Sequence, residues 1–103
     1  MTQCEHTAKI FKALSDEKRI AIIECLRTGE KCACELISSL EIAQSALSYH
    51  MKILCESGLV ECRTEGKWTH YKISKNGSEE AVQILADLTA VKNTLERNFC
   101  RKI

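Results

Sequence analysis

Cys32 and Cys34 stand one residue apart in the segment Lys31-Cys32-Ala33-Cys34-Glu35-Leu36. After a short break comes Gln44-Ser45-Ala46-Leu47-Ser48-Tyr49-His50-Met51-Lys52. Thiolates are soft ligands and select soft ions. Polar side chains at helical spacing can reach base edges and phosphates in a major groove. Placed this close together, the two segments point to a grip on DNA that answers to a thiol-binding ion.

The Cys-x-Cys spacing sets a geometric condition. In a regular helix, residues two apart point roughly 200° from each other. Cys32 and Cys34 can therefore share one small ion only in a loose first turn, or if binding distorts the helix. Bending this helix would move the polar helix that follows it, and a helix N-terminus favours thiolate over thiol. The chain has seven cysteines in 103 residues. An odd number without a secretion signal argues against a disulfide framework, leaving buried small hydrophobes or ligands. Cys25, within Ile22-Ile23-Glu24-Cys25-Leu26, is expected in the core, and Cys62 carries no assigned role.

The elements that must position these groups follow from periodicity. Residues 4–28 read as helical. Ala8, Phe11, Ala13 and Leu14 form one stripe, Ser15-Asp16 a cap, and Ile20, Ile22, Ile23 and Leu26 a second stripe closed by Gly29. Residues 32–40 read as a short helix with Leu36, Ile37 and Leu40 inward, followed by a turn at Glu41-Ile42. A helix over 43–57 turns Ala46, Leu47, Met51 and Leu54 inward and ends at Gly58. Two helices of this size with a tight connection are the helix-turn-helix signature. Leu59 to Arg63 and Trp68 to Ile73 alternate around Glu65-Gly66 as a two-stranded hairpin, with Trp68 and Tyr71 expected to pack it. After Gly77 a helix over about 78–97 carries Ala81, Ile84, Leu85, Leu88, Val91 and Leu95 at helical spacing. That apolar face packs on its own core or on a second subunit. The order helix, helix, helix-turn-helix, hairpin, helix is an α-rich α+β winged helix-turn-helix, one domain over 1–103.

Composition bounds the function. Apolar residues at 45% exclude a disordered chain, and no apolar run approaches the roughly 20 residues that span a bilayer. Without a secretion signal at Met1-Thr2-Gln3-Cys4-Glu5-His6, a cytoplasmic protein with no membrane partner is expected. Net charge is only +1, but residues 44–75 carry a mildly basic local balance suited to phosphate. There is no Cys-x-x-Cys, no glycine-rich phosphate loop and no paired-histidine motif. An enzyme and an organic cofactor are therefore not expected.

The chain resembles the ArsR/SmtB family of metal- and metalloid-responsive repressors. The resemblance is carried by Lys12-Ala-Leu-Ser-Asp-Glu-Lys-Arg19, Gln44 to Lys52, Glu56-Ser-Gly-Leu-Val60 and Gly66-Lys-Trp-Thr-His-Tyr71, in the family's order. It implies a homodimer joined by the first and last helices on a roughly two-fold operator in double-stranded DNA. Ser45, Ser48, Tyr49 and His50 fall on the family's recognition positions, beside Gln44 and Lys52 on the same helix. Arg63 and Lys67 of the wing would touch phosphates or the minor groove.

The resemblance also implies a metal(loid) site. Arsenic-responsive relatives carry Cys-x-Cys here, often with a third cysteine three residues on. That place is Ile37 in this chain. Cys4 in the N-terminal arm is then the expected third ligand, with His6, Cys55 and Cys100 as further options. Trivalent arsenic, as arsenite or methylarsenite, or antimonite is the expected inducer, with Cd(II) or Pb(II) as alternatives. Residues 78–98 hold Asp87 but no histidine, which excludes the zinc site some relatives build on the last helix. A redox or persulfide sensor of the same fold is the competing reading. It would pair Cys25 with Cys100, although Cys25 sits one residue off the register of such sensors.

Overall fold

The computed structural model describes residues 1–92. Helix α1 (Gln3–Ala13) starts at a capping box. The Thr2 hydroxyl accepts from the Glu5 amide at 3.1 Å, and the Glu5 carboxylate accepts from the Thr2 amide at 2.9 Å. Helix α2 (Glu17–Leu26) starts at Asp16, whose carboxylate accepts from the amides of Lys18 and Arg19. The expected cap therefore splits the first helical region in two. After Gly29, at φ 128°, residues Lys31–Cys32 form a short strand, β1. Helices α3 (Ala33–Leu40) and α4 (Gln44–Glu56) form the helix-turn-helix. Glu41 makes the turn between them in the left-handed region at φ 51°.

Strands β2 (Val60–Glu65) and β3 (Trp68–Ile73) form the wing, with Gly66-Lys67 between them. The sheet has three strands rather than two, in the order β1-β3-β2. Lys31 pairs with Tyr71 and Cys32 with His70, so β1 ties the start of α3 to the wing. A strand of two residues has no periodicity to read. Only the return of β3 alongside it makes it a strand.

Helix α5 (Lys75–Leu88) starts earlier than the glycine at 77 suggested. Ser74 caps it by accepting from the Gly77 amide at 2.9 Å, so Gly77 lies inside the first turn. A Cβ at Gly77 would overlap the Gly58 carbonyl, and this glycine serves close approach rather than punctuation. The helix ends at Leu88, short of the expected boundary, and residues 93–97 lie outside the described ones.

Ile10, Ala13, Ile22, Leu26, Leu36, Leu47, Met51, Leu54 and Val60 form one core under the helix-turn-helix. Three expectations fail there. Ala8, expected on the apolar stripe of the first helix, is exposed, and α1 buries Ile10 and Ala13. Ile20 is 44% exposed, while the neighbouring Arg19 is buried. Trp68 is 53% exposed at the wing tip, whereas Tyr71 packs against the core as expected. None of α5 is buried, and Val82, Leu85, Leu88 and Val91 stand exposed.

Candidate DNA-reading face and thiol site

Helix α4 divides its residues cleanly. Leu47, His50, Met51 and Leu54 are buried, while Gln44, Ser45, Ser48, Tyr49 and Lys52 are exposed together on the other face. Five of the six α4 residues expected to meet DNA thus share one solvent face. His50 is the exception. Its ring faces inward and its Nδ1 lies 3.0 Å from Arg19 Nη1. A guanidinium only donates, so His50 Nδ1 accepts and the ring proton sits on Nε2. Arg19 also donates to the carbonyls of Ala13 at 2.8 Å and Lys12 at 3.3 Å, the last turn of α1. One buried side chain thereby holds the α1–α2 junction and the recognition helix together. Arg19 belongs to a motif that carries the family resemblance, yet nothing in its spacing announced a buried guanidinium.

At the wing, Lys67 is exposed in the two-residue connection after Gly66, which has φ 64°. Arg63 is not free in the same way. Its Nε and Nη2 meet both carboxylate oxygens of Glu30 at 3.0 and 2.9 Å, and Nη1 meets Glu65 at 3.0 Å. Hydrogen bonding from Arg63 holds the Glu30 carboxyl below its ordinary range, and Glu30 in turn raises the Arg63 pKa. The pair clamps the residues before β1 to β2.

Cys32 meets the geometric condition by lying outside the helix. It is the N-cap of α3 in extended conformation, with φ −84° and ψ 159°, and its amide donates to Glu35 Oε1 at 2.7 Å. Cys34 lies in the first turn. The two Sγ atoms meet as a bonded pair, with Cα atoms 5.4 Å apart. A pair this close in sequence closes too small a loop to staple a fold. It demonstrates instead that both sulfurs reach one point without bending α3. The sulfurs meet because Cys32 precedes the helix in extended conformation.

Among the described residues, the remaining candidates do not join them within one chain. Cys4 is exposed on α1, and His6 is bonded to Glu80 of α5 at 3.2 Å. Among the described residues, no three His, Cys, Asp or Glu side chains come together as a metal site. Cys25 is half-buried against the core, as expected, and Cys100 lies outside the described residues. Cys55 instead neighbours Cys62, the two lining one cleft between α4 and the wing.

Residues 16–61 match the family described as "Bacterial regulatory protein, arsR family". The arsenical resistance operon repressor of Escherichia coli is 40% identical over 101 residues, covering 89% of this chain and 86% of that protein. The chain belongs to the arsR family. An uncharacterized HTH-type transcriptional regulator of Methanocaldococcus jannaschii is 35% identical, covering 85% of this chain and all of that protein. Among solved structures, the homodimeric winged helix-turn-helix DNA-binding domain of a possible ArsR-family regulator from Mycobacterium bovis superposes with a TM-score of 0.68. It is 28% identical and covers 82% of this chain and 81% of its own. This arsR-family chain is a DNA-binding transcriptional regulator, not an enzyme. Among its described residues, no helix is long and apolar enough to cross a membrane.

Proposed function

We propose that the chain is a metal(loid)-responsive repressor that binds operator DNA as a homodimer and releases it when trivalent arsenic occupies Cys32 and Cys34. The observation that carries this reading is the meeting of the two sulfurs at the junction of β1 and α3. The similarity to an arsenical resistance operon repressor favours arsenic over other soft ions. Cys32 and Cys34 would hold the ion as thiolates. Two thiols suffice for methylarsenite, whereas arsenite or antimonite would draw in Cys4 from the same or the second protomer. Cd(II) or Pb(II), which want three or four sulfurs, remain the alternative and depend more heavily on Cys4.

The position of the pair suggests how occupancy reaches DNA. Cys32 belongs to the wing sheet through its pairing with His70, and Cys34 belongs to the first helix of the DNA-binding unit. Holding both sulfurs on one ion would restrain β1 of the wing sheet against the start of α3, and so limit how α4 and Lys67 adjust together to the duplex. Release by a hundredfold needs a coupling free energy of about 3 kcal/mol. On the DNA side, Gln44, Ser45, Ser48, Tyr49 and Lys52 would enter the major groove and Lys67 would meet phosphate. Arg63 would serve by holding the wing to Glu30, and His50 by fixing α4 through Arg19. For the dimer, α1 and α5 are the proposed interface, because the exposed apolar side chains of α5 need covering.

Fluorescence anisotropy of labelled operator DNA tests the reading. The reduced protein and its Cys32→Ser/Cys34→Ser variant are titrated with arsenite, methylarsenite, cadmium and zinc. Release of the parent alone by an arsenical is the expected outcome. Release by methylarsenite only would mark a two-thiol site, and release by cadmium only would establish the alternative. DNA binding unmoved by all four ions would sink the proposal.

A further inference from the structure

The fold makes a second thiol pair that the Cys32–Cys34 site does not use. Cys55 lies in the last turn of α4, and Cys62 lies in β2, beyond the Gly58 turn. Both are free thiols. They line one cleft between α4 and the wing with Ser48, Met51, Lys52 and Tyr71. Tyr71 is the ladder partner of Cys62 on β3 and packs on the core behind it. Cys62 is exposed, while Cys55 is partly covered. Burial foremost, and then the neighbouring Cys62 thiol, push the Cys55 thiol up to about 11, so Cys55 stays protonated at neutral pH. Two residues of the DNA-facing set, Ser48 and Lys52, stand on the rim of this cleft.

We propose that Cys55 and Cys62 form an oxidation site in which exposed Cys62 reacts with a hydroperoxide and Cys55 resolves it, closing a disulfide that locks α4 to the wing and weakens DNA binding. In the first step the Cys62 thiolate attacks the peroxide oxygen. The O–O bond breaks, the alcohol or water leaves with a proton, and Cys62 becomes a sulfenic acid. In the second step Cys55 sulfur attacks Cys62 sulfur, the S–O bond breaks, and the hydroxyl leaves as water with the Cys55 proton. The two thiols supply the two electrons that reduce the peroxide. The order follows from exposure, since an incoming oxidant meets Cys62 first and the half-covered thiol acts only on a sulfur already beside it. The link would fix the C-terminal half of α4 to an edge strand, at the point where helix and wing must adjust together to the duplex.

This pair is independent of the ion reading of Cys32 and Cys34. Its effect on DNA rests only on α4 being the DNA-reading helix. The full chain carrying Cys32→Ser/Cys34→Ser is reduced, exposed to hydrogen peroxide, alkylated and digested for mass spectrometry, beside the parent sequence. A Cys55–Cys62 linked peptide is expected in both, abolished by dithiothreitol. With Cys55→Ser added, Cys62 should stop at a sulfenic acid that dimedone traps. DNA affinity of the linked protein should fall about tenfold or more and recover on reduction. Oxidation of Cys62 without the link, or a link with unchanged DNA affinity, overturns the proposal. DNA binding that ignores every arsenical but falls with this link would retire the ion reading and keep this one.

Discussion

Arg19 donates from a buried guanidinium to two carbonyls at the end of α1 and to His50 of α4. Removing it leaves two buried acceptors, the Ala13 carbonyl and His50 Nδ1, without this donor, while the Lys12 carbonyl keeps the Ser15 amide and hydroxyl. Each unsatisfied buried group costs about 1–3 kcal/mol. Arg19→Met should therefore destabilise the fold by about 2–4 kcal/mol in urea denaturation, some acceptors finding water. A loss below about 0.5 kcal/mol, the size of an ordinary surface change, would show that the network is not structural. Lys67 is the opposite kind of residue, exposed in the connection beyond Gly66. Lys67→Ala should leave stability unchanged, weaken DNA binding similarly across sequences, and lower the slope of log K against log salt by about one. Anisotropy at several salt concentrations checks this, and a sequence-selective loss at constant slope would contradict a phosphate contact.

Elements join through small, specific approaches. The first turn of α5 lies against the Gly58 carbonyl, at the turn between α4 and β2. A methyl group at residue 77 would meet backbone there, which cannot rotate aside. Gly77→Ala should cost about 1–3 kcal/mol or more, despite alanine's better helix propensity. Thermal denaturation decides the matter: a variant as stable as the parent would mean that α5 shifts freely. The same scale explains the thiol pair at β1. Cys32 can meet Cys34 because the strand pairing with His70 keeps residue 32 extended, off the helical path. Arg63, on β2 at the far edge of the sheet, reinforces that position by holding Glu30, just before β1.

At the scale of the whole molecule, the apolar side chains left outside are as informative as the core. Val82, Leu85, Leu88 and Val91 are exposed along or just beyond α5, while the face of α5 toward α1 is only half-buried. An exposed apolar stripe of this kind marks an interaction surface. If two copies meet there, a symmetric interface carries each substitution twice. Leu88→Glu should then weaken dimerisation by tenfold or more in analytical ultracentrifugation and lower operator affinity with it. A variant that stays dimeric at low concentration would move the interface elsewhere.

The order of elements, the inward faces of α3 and α4, and the solvent face holding Gln44, Ser45, Ser48, Tyr49 and Lys52 were legible in the sequence. Helical periodicity and capping are local properties, set by residues within a turn or two of one another. Cys32 and Cys34 were legible as a pair, but not the way they meet. Only the tertiary structure supplied β1, because two residues become a strand solely through a partner far along the chain. Burial of Arg19 and His50, the carboxylate that holds Arg63 and the close approach at Gly77 have the same origin. Each depends on segments distant in sequence arriving at one point, and no spacing rule along a single segment contains that distance.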